Sequence, residues 1–82
     1  MLSAAQCRAA RALLDWSREK LAELSKVSLR TIVDFERGAR QPREVTLDAL
    51  RAAMERAGVT FVAAGEPSAV GGAGVRHSPA HD

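Results

Sequence analysis

The side chains with chemistry to offer are mostly cationic and lie in one stretch of the 82-residue chain. Arg30 and Asp34 stand four positions apart, the spacing that brings side chains together on a helix face. Arg37, Arg40 and Arg43 follow in the run RGARQPR, which holds three arginines and no acid. A guanidinium is a planar fork of donors that matches guanine O6 and N7, so Arg30 is the first candidate for reading a base edge. The three later arginines suit phosphate oxygens better than a nonspecific coat. Asp34 could accept from a cytosine amine or orient Arg30 through the i,i+4 pair; the second role is favoured, because a bare carboxylate near phosphates is costly. Leu29 and Val33, also four apart, share a face with little reason to be buried and could meet a thymine methyl.

Other chemistries lack their parts. The GGAG at 71–74 is followed by neither a helix nor a Lys-Ser/Thr pair, so it is no phosphate-cradling loop. His77 and His81 have no cysteine or carboxylate at metal-ligand spacing, and Cys7 stands alone, so neither a metal site nor a disulfide framework is expected. No serine, cysteine or histidine belongs to a nucleophile–base–orienter set. The chain is expected to be no enzyme and to need no cofactor.

The elements that must position Arg30 and its neighbours run from Ser17 to Gly38. Ser17 can cap one helix, with Trp16 before it and Leu21 within it as a hydrophobic staple; Ser28 repeats the device with Val27 and Ile32. The first helix keeps Leu21, Ala22 and Leu24 inward, and the second, from Ser28 to about Arg37, keeps Ile32 and Phe35 inward. Only Ser25, Lys26 and Val27 separate them, so the two helices must cross steeply. That is the geometry of a helix-turn-helix, whose second helix can enter a major groove with its N-terminal residues against base edges.

Ser17, Glu19, Leu21, Ala22, Glu23, Val27, Ser28, Thr31, Ile32, Glu36, Arg37 and Gly38, in that order and spacing, resemble the DNA-binding domain of the Cro/C1-type (XRE-like) bacterial and phage repressors. The resemblance covers roughly Cys7 to Gly58. It implies that Ser28, Leu29, Arg30 and Asp34 face the groove and that Thr31 bonds a phosphate. It also implies a partly buried structural ion pair between Arg11 and Glu36, tying the first helix to the end of the recognition helix. Arg18 stands where the family usually has a phosphate-binding glutamine, and keeps that role with an added charge. Lys26 departs further, since the family usually has glycine in this turn; a left-handed lysine costs about 1 kcal/mol.

The rest of the chain supplies the frame. Ser3 and Gln6 form a capping box for a helix running to about Leu14, with Leu2 stapling onto Cys7 and with Cys7, Ala10, Leu13 and Leu14 available to the core. Asp15-Trp16 ends that helix, and Trp16 is read as a core anchor. Pro42 makes the segment after Gly38 a loop. Thr46 is read as the cap of a fourth helix, with Val45 and Leu50 as its staple, Leu47, Leu50, Met54 and Ala57 inward, and Gly58 ending it. Val59–Ala63 is a strand signal, followed by a loop with Gly65, Pro67 and Ser68, a second short strand at Val75-Arg76-His77, and a frayed HSPAHD end. A lone two-stranded ribbon is marginal in water, and pairing across a dimer axis would support it.

Twelve basic and ten acidic side chains leave a net charge of +2, a local basic patch and not a polybasic tail. A lone cysteine among apolar neighbours fits a reducing cytoplasm, and no stretch resembles a signal peptide or membrane span. The reading is therefore an all-α, lambda-repressor-like four-helix domain at 1–58 with C-terminal β-strands and a flexible tail at 59–82; the strands could serve dimerisation, or 64–82 as a whole could be the tail. The expected function is a homodimeric, sequence-specific transcriptional regulator, a repressor, reading an inverted repeat in double-stranded DNA. Two alternatives stand beside it: an antitoxin whose C-terminal strand takes a toxin, and a protein-interaction module that has lost DNA binding.

Overall fold

In the computed structural model, which describes residues 1–62 and 74–77, four helices enclose a core that a short β-ribbon closes at one side. The helices are α1 (Ala4–Leu14), α2 (Arg18–Ser25), α3 (Leu29–Glu36) and α4 (Glu44–Arg56); β1 (Val59–Val62) pairs antiparallel with β2 (Gly74–His77). Cys7 and Ala10 of α1, Leu21 of α2, Ile32 and Phe35 of α3, and Leu47, Leu50, Ala53 and Met54 of α4 form one buried cluster with Val59. Leu2 caps it from the N-terminal side, and Trp16, Ala22 and Val27 pack partly buried against it.

Each of the first three helices starts on a serine in extended geometry whose hydroxyl accepts a backbone N–H three residues on: Ser3 from Gln6, Ser17 from Lys20, Ser28 from Thr31. Helix ends are set by left-handed residues, Asp15 after α1 (φ 57°), Lys26 after α2 (φ 64°) and Gly38 after α3 (φ 76°). Lys26 thus holds the left-handed turn that glycine would take without strain. Ala39 N–H donates to Asp34 O (2.9 Å), folding the chain back so that the basic loop passes beside α3.

Three details differ from the expectation. Helix α4 begins at Glu44, with Arg43 as its extended cap and no side-chain capping bond; Thr46 lies inside the first turn. Val45 is 71% exposed and staples nothing, whereas Pro42 and Leu47, flanking the true start, are both buried. Burial of Pro42 and Leu47 sets this start over the local Val-Thr signal. Ala57 is exposed at the helix end, and Ala53, one turn earlier, takes the inward place. Leu13 and Leu24 are only partly covered, at 36% and 38% exposure.

The ribbon finds its support inside the chain. Gln6 Oε1 accepts from Ser3 N–H to close the capping box, while Gln6 Nε2 donates to Val62 O and Gly74 O (both 3.1 Å), gripping both strands at once. Val59 enters the core, Phe61 and Val75 pack against it, and Arg51 of α4 lies over the Phe61 ring at 5.7 Å. These contacts give the ribbon support within one chain, beyond what a lone two-stranded ribbon has. The expected loop with Gly65, Pro67 and Ser68, most of the GGAG run, and the HSPAHD end after His77 lie outside the described residues, as does Ala63.

Candidate nucleic-acid interface

Helix α3 is divided lengthwise by what its side chains can do. Ile32, Phe35 and Glu36 are buried; Leu29 (39% exposed) and Arg30 (side chain 85% exposed) face outward, with Val33 and Asp34 half-buried at the edge. Arg30 Nε donates to Asp34 Oδ2 at 3.1 Å, and Arg37 approaches the other carboxylate oxygen at 3.9 Å. Asp34 therefore sits between two guanidinium groups, the orienting arrangement, and its charge is offset by both. At the start of the helix Ser28 Oγ accepts from Thr31 N–H and donates to Thr31 Oγ1 (2.8 Å), which leaves the Thr31 hydroxyl hydrogen free to donate outward.

Two clefts flank this helix. One, of about 390 Å³, is lined by Lys26, Val27, Ser28, Thr31, Arg40, Pro42, Arg43 and Thr46; it holds three cations, three hydroxyls and no acid. The other, of about 290 Å³, is lined by Arg11, Ser17, Arg18, Glu19, Leu29 and Val33. Ser28 and Thr31 border the first cleft, Leu29 and Val33 the second. The outward ridge of α3 consequently rises between two polar troughs, the shape that a groove floor with a phosphate rim on each side would fill.

The structure brings Arg40 and Arg43 together with Thr31 in the first cleft and puts Arg18 in the second. Arg37, one turn beyond, lines neither; it is 68% exposed and turned toward Asp34. Arg18 is shared: its Nε lies 3.3 Å from Glu36 Oε1 while nearly half of the side chain remains exposed.

Beneath the ridge, Glu36 fixes the end of α3. Arg11 Nε and one terminal amine donate to its two carboxylate oxygens, each at 2.7 Å, and the other amine donates to Trp16 O. Cys7 Sγ donates to Glu36 Oε2 (3.1 Å), and Arg8 donates to the Glu36 backbone carbonyl. Burial alone would raise the Glu36 carboxyl, but the hydrogen bonds from Arg11 and Cys7 and the charges of Arg11 and Arg18 outweigh it and hold the pKa below the ordinary value. Burial, then the bond to Glu36, pushes the Cys7 thiol well above its usual range, so it is a packed and unreactive thiol. Hydrogen bonding to Glu36 raises the Arg11 guanidinium despite its partial burial.

Sequence reasoning missed the convergence of Arg8 and Arg18 on Glu36 and the place of Lys26 in the cationic cleft. Arg8 and Arg11, three apart on α1, carried a signal for a shared anionic partner. Among the described residues no group of histidine, cysteine and carboxylates is arranged to hold a metal, and no helix is long and apolar enough to cross a membrane. No curated protein matches the chain. The family model described as Helix-turn-helix matches residues 8–60, well over half of the chain, spanning the two clefts, the ridge and the Arg11–Glu36 anchor. The chain belongs to the Cro/C1-type (XRE-like) helix-turn-helix family of DNA-binding transcriptional regulators.

Proposed function

We propose that the protein is a homodimeric, cytoplasmic repressor that reads an inverted repeat in double-stranded DNA. The observation that carries this reading is the exposed Leu29–Arg30 ridge of α3, standing between a cleft of cations and hydroxyls and a second cleft to which Arg11, Arg18, Ser17 and Glu19 contribute. Arg30, held by Asp34, reads guanine; Ser28, Leu29 and Val33 fill out the base contacts with hydroxyl and methyl groups; Thr31, Arg18, Arg37, Arg40 and Arg43 hold phosphates. Residues 1–58 form the reading head and 59–82 the dimerising appendage. Two heads related by a two-fold place their α3 helices in successive major grooves about 34 Å apart.

The test is selection of bound duplexes from a randomised pool, followed by footprinting and a salt series on the winner. A palindromic winner, with log K falling against log salt by about 0.9 per phosphate contacted, supports the reading. A pool that never converges, with weak binding even at low salt, sinks it and favours a protein-interaction role. An asymmetric, single half-site footprint would refute the dimer while leaving DNA reading intact.

A further inference from the structure

Lys26 has so far only a structural expense, a left-handed backbone at φ 64° that glycine would take without steric conflict. Its surroundings give that expense a reason. Six other basic side chains of the fold, Arg11, Arg18, Lys20, Arg30, Arg37 and Arg51, stand in ion pairs with carboxylates. Lys26, Arg40 and Arg43 have no such pair among the described residues, and they line one cleft. They arrive there from two separate loops, 26–28 and 37–43, so their convergence is a product of the fold and not of one charge run. Like charges gathered without a carboxylate repel one another until an anion arrives, and the cleft adds the Ser28, Thr31 and Thr46 hydroxyls around the same space. Three cations with hydroxyl donors suit a compact, multiply accepting anion and no base edge, since this cleft opens beside the ridge and not along it.

We infer that Lys26 is a DNA-phosphate-binding residue, closing with Arg40, Arg43 and Thr31 a preformed cup for one backbone phosphate beside the start of α3. This rests on the DNA reading proposed above. Lys26 sits at the turn that fixes the approach of α3, so holding a phosphate there sets the register of Arg30 on the bases. From the turn after α2 the Lys26 side chain reaches the cleft that Arg40 and Arg43 line from the other loop.

Stability and binding should move in opposite senses on Lys26→Gly. The backbone strain is relieved, so the melting temperature stays or rises, while affinity falls about tenfold at low salt. The slope of log K against log salt becomes less negative by about 0.9 per protomer. The probes are the duplex selected by the wild-type protein and a mixed-sequence duplex; both weaken alike, because a phosphate contact carries no base information. Lys26→Arg keeps most of the affinity and the slope. Lys26→Asn, which also tolerates a left-handed backbone, is a second charge-removing variant should the glycine variant fold poorly. Unchanged affinity and slope in Lys26→Gly and Lys26→Asn, beside a wild-type protein that binds its selected duplex, overturn this inference alone. A wild-type protein that binds no duplex overturns the DNA reading, and this inference with it.

Discussion

Arg11 and Glu36 meet through two parallel charge-assisted hydrogen bonds of 2.7 Å, fastening α1 to the last turn of α3. With Glu36 almost wholly buried, removing Arg11 leaves a carboxylate that Arg18 can only partly compensate from 3.3 Å. Breaking such a buried pair typically costs about 3–5 kcal/mol. Arg11→Ala should therefore unfold at markedly lower urea, by about 3 kcal/mol, while Arg11→Ala/Glu36→Ala is less destabilised than the sum of its single variants. Additive single-variant effects in the urea titrations would refute the coupling.

The same pair sets an acid limb. The Glu36 pKa is lower folded than unfolded, so the unfolded chain binds the proton more readily as pH falls. The stabilisation is fully present above the unfolded carboxyl pKa, about 4.3, and is lost as pH drops through the lower folded value. Glu36→Gln, already neutral, should be less stable at pH 7 but lose less stability on acidification. Parallel stability curves between pH 7 and 3, measured by urea titration, would assign the acid sensitivity to other carboxyls.

What the sequence made legible was what neighbouring residues decide. Ser3, Ser17 and Ser28 cap their helices through bonds spanning three residues, so spacing alone announced them. Thr46 carried the same local signal and is no cap: α4 starts between a buried Pro42 and Leu47, which enters the core. Gln6 was legible as half of a capping box; its grip on Val62 and Gly74 lies 56 and 68 residues away and leaves no local trace. The outward place of Leu29 was readable from helical spacing and that of Arg30 from the family resemblance, whereas the cup around Lys26 required knowing how the loop after Gly38 returns.

Gln6 joins the ribbon to the helices, and that makes the ribbon separable from them. Gln6→Ala removes the capping-box partner and leaves two strand carbonyls to find other donors, costing about 2 kcal/mol in all. The loss should be local: amides of Val59–Val62 exchange faster by tenfold or more, while those of α2 and α3 change only with global stability. Uniform acceleration across the chain would show that the ribbon and the helices open as one unit.

Arg30 and Asp34 offer the sharpest separation of stability from reading. Their pair is exposed on the Arg30 side, so Arg30→Ala should shift stability by less than about 0.5 kcal/mol. A bidentate guanidinium–guanine contact discriminates by about 1–3 kcal/mol, so the same variant should lose roughly 5- to 150-fold in affinity for the selected duplex and stop preferring one base at a single half-site position. Asp34→Asn leaves the cation in place but frees it from its orienting carboxylate and from competition with Arg37. It should bind mixed-sequence DNA more tightly while its preference at that position weakens, because a charge is removed near phosphates and the guanidinium is no longer aimed. Selected-pool profiles of the two variants check this directly. If Arg30→Ala keeps the full base preference, the reading falls to Leu29, Val33 and Ser28, and if Asp34→Asn switches the preferred base, the carboxylate was itself reading a cytosine amine.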